Sequence, residues 1–426
     1  MAEIVVLISL GYVAWLFVLS RRQRPSVLPA PADLLMAFVI PCLNEEAVLT
    51  ATLDNLVPLL RGDDIVLVVD DGSDDGTPDI VRAYDSPRVH LLRRELPHAR
   101  RGKGEALNAA VRHLHSSDLL GGRVPQDVVI AVFDADGRLA PEAIPAVAGY
   151  FRDPLLGAVQ IGVEMRNAET NLLARLQDME FTVFTEIFQR ARQLIGSVGL
   201  GGNGQFVRLA ALDSLGDAPW SDCLTEDLDL GVRILLEGWR NAYCPTVCVD
   251  QQAVTEVKRW VRQRTRWFQG HLQCWRLIPA ILRSSLRARV ASDIVWYLTL
   301  PVAVLLIPVA TLPIAIAVIV QIVLTPSTAL GFATANHGML LVLAYLLCFG
   351  QAYPYAFVYW LRGRTSFLRA LWLAHLFEAY SHLWLIAGWL ALYRFVRRRR
   401  GWDKTARVVE TPAAPVPYLD PEPSRS

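Results

Sequence analysis

Val128-Val129-Ile130-Ala131-Val132-Phe133-Asp134-Ala135-Asp136-Gly137 is an unbroken apolar run that stops on two carboxylates and a glycine. Six apolar residues, four of them β-branched, read as a strand with both faces buried. The pattern occurs twice before it. Leu34–Ile40 closes on Pro41, and Ile65–Val69 closes on Asp70-Asp71-Gly72-Ser73. Val89–Leu92 adds a short strand, and helices are expected from about Glu45 to Leu60, from about Pro78, and over Glu105–His115. Short apolar strands alternating with helices predict an α/β fold whose parallel sheet is covered on both faces. Ligands of such sheets bind beyond the carboxyl ends of the strands. Both acidic clusters sit at such ends, so they converge on one crevice.

Residues 157–250 are less regular. They carry a strand at Ala158–Val163, a helical run at Leu172–Gln193, the glycine-rich Gly199–Gly204 and a helix from Thr225 to about Glu237. Residues 255–283 form a basic, Trp-rich amphipathic stretch. No internal repeat is visible.

At 426 residues and 53% hydrophobic content, the chain exceeds one ordinary domain and is unusually apolar. Uncharged or nearly uncharged runs at 4–19, 294–324, 338–361 and 371–393 read as bilayer spans. Met1-Ala2-Glu3 precedes the first run and Arg21-Arg22-Gln23-Arg24 follows it, the charge order of an uncleaved anchor and the reverse of a secretory signal. The expected division is an anchor over 1–24, a linker over 25–33 and a cytosolic catalytic domain over 34–254. An interfacial segment over 255–292, transmembrane or interfacial helices over 293–395 and a basic, Pro-rich tail over 396–426 complete it. This predicts a multi-pass protein of the plasma membrane, its catalytic domain cytoplasmic and membrane lipids among its partners. Four full spans would strand Arg397-Arg398-Arg399-Arg400 outside, so 371–393, which carries Glu378, is expected to lie in the interface or re-enter. The net charge of +1 comes with no basic stripe, which excludes nucleic acid as a partner. Six scattered cysteines with no CxxC pair suit a reducing compartment and small core positions.

The chemistry lies in spaced carboxylates. A diphosphate leaves readily only when its charge is neutralised, and a divalent cation on one or two carboxylates does this. Asp134 and Asp136, two apart at a strand end, supply such a pair, although Asp and Gly there also simply make a turn. Asp70 and Asp71 can accept from a base or a ribose. Pro41, Asn44 and Glu45 end the neighbouring strand and face the same nucleotide, and Lys103 in Gly102-Lys103-Gly104 is a candidate for phosphate. Thr225-Glu226-Asp227 opens a helix, where Thr is a natural N-cap and acids suit the dipole. An attacking hydroxyl must also lose its proton, and a carboxylate not spent on metal is the natural base. Asp227 is the first choice and Glu226 the second. Gln263-Arg264-Thr265-Arg266-Trp267 lies in a stretch that reads as an interfacial helix. Arg266 can also clamp a departing diphosphate, and Trp267 offers a flat face to a sugar.

Together the DDGS, DAD, TED and QRTRW motifs resemble those of the membrane-integrated, inverting family-2 glycosyltransferases, the group of cellulose, hyaluronan and chitin-oligosaccharide synthases. The resemblance covers roughly Leu34 to Arg283. It implies a GT-A (Rossmann-like) fold, a nucleoside-diphosphate sugar donor, usually UDP-linked, and Mg²⁺ or Mn²⁺. By position it assigns Asp70 and Asp71 to the nucleoside, Asp134 and Asp136 to diphosphate and metal, and Asp227 to the base. Gln263, Arg266 and Trp267, with Asn203, fall at the diphosphate and the acceptor. Gly201-Gly202-Asn203-Gly204-Gln205 stands where polymerising members carry a Cys-Gly-type loop, and with Glu226-Asp227-Leu228-Asp229-Leu230 it is similar to bacterial and cyanobacterial enzymes that glucosylate diacylglycerol. The acceptor is therefore a glycan or a lipid. QRTRW leans to processive β-glycan synthesis, glycolipid synthesis is the alternative, and three downstream apolar segments are few for a polymer channel. A catalytically dead nucleotide-sugar sensor or scaffold is a minor alternative. A transporter is weaker still, because the ionisable motifs lie outside the apolar runs.

Overall fold

The computed structural model describes residues 2–22, 33–325 and 352–398, with scattered positions between them. Helix α1 (Ala2–Ser20) leads to β1 (Leu35–Cys42), α2 (Leu49–Leu56), β2 (Ile65–Asp70), α3 (Thr77–Ala83), β3 (Val89–Arg93), α4 (Lys103–Ser116) and β4 (Val128–Val132). Then come β5 (Arg138–Leu139), α5 (Ala143–Ala148) and β6 (Leu156–Met165). The expected helix 172–193 is α6 (Leu172–Val183) and α7 (Arg190–Ile195), joined by a π-helical turn at Phe184–Gln189. After β7 (Gln205–Arg208) follow α8 (Leu209–Asp213), α9 (Glu226–Leu236), β8 (Arg240–Gln251) and α10 (Val257–Gln273). The chain continues into α11 (Ile278–Arg283), α12 (Ala288–Leu324), α13 (Ala352–Leu361) and α14 (Phe367–Val396).

Among the described residues the strands form one sheet in the order β3-β2-β1-β4-β7-β6-β8-β5. The first four are parallel, as the alternating pattern predicts, and β1 sits between β2 and β4, where the winding reverses. The remainder departs from an all-parallel sheet, because β7 runs antiparallel to both β4 and β6. That insertion depends on Gly204: its φ is +71°, and a Cβ there would lie 2.6 Å from Ile161 Cγ1. The helix expected from Glu45 starts later, at Leu49. Asn44 has φ +55°, the Glu45 N–H donates to Thr77 Oγ1 (2.8 Å), and Pro58 lies in a closing 3₁₀ turn.

Alternate residues of β1 feed two cores. Met36, Phe38 and Ile40 pack with α2 and α5, and Leu35, Ala37 and Val39 pack with α4 and α9. A third core joins Leu16 of α1, Met179 and Ile187, Trp260 of α10, Tyr359 of α13 and Tyr380 of α14.

This third core bears on the expected membrane placement. Among the described residues no helix is long and apolar enough to cross a membrane, which overturns the multi-pass plasma-membrane reading. Part of the apolar surface that prompted it is spent within the protein. Leu16 is fully buried, the Tyr12 hydroxyl donates to Asp293, and α14 lies along α10 with Tyr380 and Trp384 against Trp260. Much of the run 338–361, most of the 25–33 linker and the tail beyond residue 398 lie outside the described residues.

Candidate active site

The crevice forms where β1, β2 and β4 end. Cys42 pairs with Asp70, Val39 with Val132, and Val132 with Gln205 of β7, so the glycine-rich loop 201–204 lies beside Asp134. Asn203 ties that loop down. Its Oδ1 accepts from the Asp134 N–H (3.2 Å), its Nδ2 donates to Gln251 Oε1 (3.0 Å), and its carbonyl accepts from Gln160 Nε2 (2.9 Å). Both polar ends of Asn203 are thus engaged inside the protein. Gln160, a polar residue in the middle of an apolar strand, is the signal in the sequence that points to this loop; its Oε1 also accepts from the Gly201 N–H (2.8 Å).

Lys103, at the start of α4, is the hub. Its Nζ donates to Asp134 Oδ1 and to the Gly202 carbonyl, each at 2.6 Å. Asp227 meets it there: a Cβ on Gly202 would lie 3.3 Å from Asp227 Oδ2 and 3.4 Å from Lys103 Nζ. Burial works against the Lys103 charge, but Asp134, Glu226 and Asp227 outweigh it and hold the ammonium above its ordinary value. Burial lifts the Glu226 carboxyl to about 7, with Asp227 pushing the same way and Lys103 and Arg266 opposing. Burial also raises Asp227, while the Leu228 N–H and Lys103 hold it down. Thr225 does occupy the N-cap position of α9, yet its side chain makes no capping bond. Its Oγ1 instead lies near the sulfurs of Cys223 and Cys274.

The helix that carries Gln263, Arg266 and Trp267 reaches this cluster because of Gly270. A Cβ on Gly270 would lie 2.5 Å from the Thr225 nitrogen, and Gln273 Oε1 accepts from the Leu224 N–H (2.8 Å). Arg266 thereby acts on Glu226. Trp267 packs edge-on against Phe181, with centroids 6.0 Å apart.

At the other end of the crevice the acidic pairs are engaged with arginines. Asp71 is buried and salt-bridged to Arg94 (2.5 Å), and fully buried Asp70 accepts from the Ser73 N–H (3.1 Å) with Arg93 at 3.4 Å. Asn44 closes the turn, donating its N–H to Ser73 Oγ (2.9 Å) and accepting at Oδ1 from the Asp74 N–H (2.9 Å). Pro41 pairs with Val69 in the sheet, and Glu45 is buried beside it.

Asp136 is fully buried, and its Oδ2 accepts from the Gln252 N–H (3.0 Å). Among the described residues no three His, Cys, Asp or Glu side chains gather to hold a metal unaided. Magnesium ordinarily binds through one or two carboxylates and completes its shell with phosphate and water. Asp134, with Lys103 Nζ on its Oδ1, and Asp136, with the Gln252 N–H on its Oδ2, are oxygen donors of the type such a shell uses.

A mixed α/β sheet with carboxylates gathered at its switch point defines a GT-A-like glycosyltransferase fold. Its likeness to the mannosyltransferase PcManGT from Pyrobaculum calidifontis, solved with GDP-Man and Mn²⁺, has a TM-score of 0.61 at 19% identity and covers 94% of this chain and 100% of that one. Residues 31–270 match the family described as glycosyltransferase like family 2, and the chain belongs to that family. It is 31% identical to the β-monoglucosyldiacylglycerol synthase of Trichormus variabilis (strain ATCC 29413 / PCC 7937), over 71% of this chain and 63% of that relative. It is 24% identical to the poly-β-1,6-N-acetyl-D-glucosamine synthase of Staphylococcus epidermidis (strain ATCC 35984 / DSM 28319 / BCRC 17069 / CCUG 31568 / BM 3577 / RP62A), over 55% of this chain and 54% of that relative. The match spans between 51% and 63% of the length of the diacylglycerol-glucosylating relatives.

Proposed function

We propose that the enzyme moves a hexose from a nucleoside-diphosphate sugar, a UDP-sugar first among them, to the hydroxyl of a diacylglycerol-type lipid, inverting the anomeric carbon. One observation carries the chemistry: Asp227 Oδ2 and the Lys103–Asp134 pair meet at Gly202, so a base and a diphosphate site share one crevice. Asp227 takes the acceptor proton as the hydroxyl attacks, and Glu226 beside it is the second choice for that proton. Asp70 and Asp71, with Pro41, Asn44 and Glu45 beside them, bind the nucleoside. Lys103, Arg266 and Gln263 face the diphosphate, Asn203 holds the loop against Asp134, and Trp267 borders the acceptor. Asp134 and Asp136 are the residues that would hold Mg²⁺ or Mn²⁺, which when bound supplies charge neutralisation for the leaving diphosphate.

The lipid acceptor is supported by the 31% identity to a diacylglycerol-glucosylating relative. The second reading, elongation of a β-glycan, is favoured by QRTRW and by the 24% identity to a polysaccharide synthase.

The test uses purified protein in detergent micelles with dioleoylglycerol, radiolabelled UDP-sugars and Mg²⁺ or Mn²⁺. Label in the chloroform phase is the expected result. Label in ethanol-insoluble material selects the glycan, and failure to consume any donor with either acceptor sinks the enzyme reading. Asp227→Asn is expected to lower turnover by roughly 10²–10⁴-fold, the share of a general base, while nucleotide affinity by calorimetry is retained. Unchanged turnover removes Asp227 from that role.

A further inference from the structure

We propose that Arg264 and Glu180 are positioning residues that fix the indole of Trp267 at the acceptor side of the crevice, with Tyr380 holding Glu180 in place. The proposal rests on the reading that Trp267 borders the acceptor.

Arg264 is buried to 1% exposure in the middle of α10, an unusual place for a guanidinium. Four aromatic rings enclose it: Trp267 at 4.1 Å from its central carbon, Trp384 at 5.0 Å, Trp260 at 5.3 Å and Phe181 at 5.5 Å. Its charge is met by one carboxylate, Glu180 of α6, through Nη2 to Oε2 at 2.8 Å. The same Oε2 accepts from the Tyr380 hydroxyl of α14, and that hydroxyl accepts from Trp260 Nε1 (3.0 Å). Three helices are therefore pinned on one oxygen. Burial disfavours the Glu180 charge, and Arg264 opposes it first, with hydrogen bonds from Tyr380 and Trp384 after it.

The consequence falls on Trp267. Arg264 lies three residues before it, hence on the same helix face, and lies over the indole as a flat cation. Phe181, the residue after Glu180, meets the same indole edge-on. Trp267 is half-buried, so one side is held by this pair of contacts while part of it stays open. A lysine would keep the charge but not the planar stack.

The experiment labels the full chain with 5-fluorotryptophan and assigns the Trp267 ¹⁹F line with Trp267→Phe. Arg264→Lys and Glu180→Gln are expected to shift and broaden that line while the fold, followed by circular dichroism, is kept. In dioleoylglycerol micelles both variants should raise the acceptor KM by roughly tenfold, the size of a desolvated cation–π contact, with donor affinity and kcat little changed. Arg264→Lys in a Trp267→Ala background should add nothing further. An unmoved Trp267 line in folded Arg264→Lys, or full additivity with Trp267→Ala, overturns the proposal. Should Arg264→Lys or Glu180→Gln unfold the protein, Tyr380→Phe gives the same readout, and an unmoved line there overturns the link through Glu180. A moved ¹⁹F line with an acceptor KM indifferent to Trp267→Ala supports the positioning and overturns the acceptor reading of Trp267.

Discussion

Glu226 and Asp227 are neighbours in sequence, and their surroundings separate their behaviour. Glu226 is held up to about 7, whereas Asp227 has the Leu228 N–H on its Oδ1 (2.8 Å) and Lys103 close by. The raised value has a sign. Between the ordinary 4.5 and about 7 the folded protein binds a proton that the unfolded chain has released, so stability is lost as pH rises through that window and is level above it. Glu226→Gln removes this term. Its melting temperature should gain on the wild type as pH rises from about 5 to about 8, and a gap that stays constant across that range clears Glu226 of the effect. Lys103, at the same scale, is shared between Asp134 and the Gly202 carbonyl, so it counts as much for holding the crevice together as for any phosphate.

Among the elements, α10 has the most exacting placement. Its Gly270 lies against the backbone of Thr225, and its Gln273 takes the Leu224 N–H, so the helix bearing QRTRW and the turn before Asp227 are fitted to each other. Gly270→Ala would set a methyl 2.5 Å from the Thr225 nitrogen, a backbone atom that cannot swing aside. Overpacking of this kind costs about 1–3 kcal/mol, read as a lower denaturation midpoint. Turnover should fall by more than that loss of folded protein explains, because the displaced group is the turn before Asp227. Activity at the wild-type level per folded molecule would show that the fit is not needed for catalysis. At this scale the apolar pattern located β1, β2 and β4 well, since each strand's burial is local and continuous. It merged α6, the π turn and α7 into one helix, because a π turn changes the hydrogen-bond ladder without breaking the apolar run.

For the whole molecule, the polar knot around Asp293 ties α1 and α12 to α7 and the turn after it. Asp293 of α12 accepts from Tyr12 of α1, from Arg192 Nε of α7 (3.1 Å) and from Ser197 Oγ (2.7 Å), and Arg192 stacks on Tyr297 at 3.9 Å. Asp293→Ala leaves Arg192 buried with its carboxylate partner gone, and should cost about 3–5 kcal/mol in a thermal or denaturant melt. A loss below about 1 kcal/mol would mean that apolar packing alone holds these helices together. The apolar runs stand out in the chain as candidate spans. Hydropathy cannot tell a side chain facing lipid from one facing another helix, and Leu16, Tyr359 and Tyr380 face protein.

Read alone, the chain is enough to place β1 to β4, β6 and the acidic strand ends, because each depends on neighbours a few residues away. The family motifs named the candidate carboxylates for the same reason. Which of them meet was left to the folded molecule. Lys103, Asp134, Gly202 and Asp227 come together only through the order of the sheet and the insertion of β7, and Arg264, Glu180 and Tyr380 only through helix packing. Such contacts join residues tens to hundreds apart in the chain, and their energy depends on burial and close approach, neither of which linear order records.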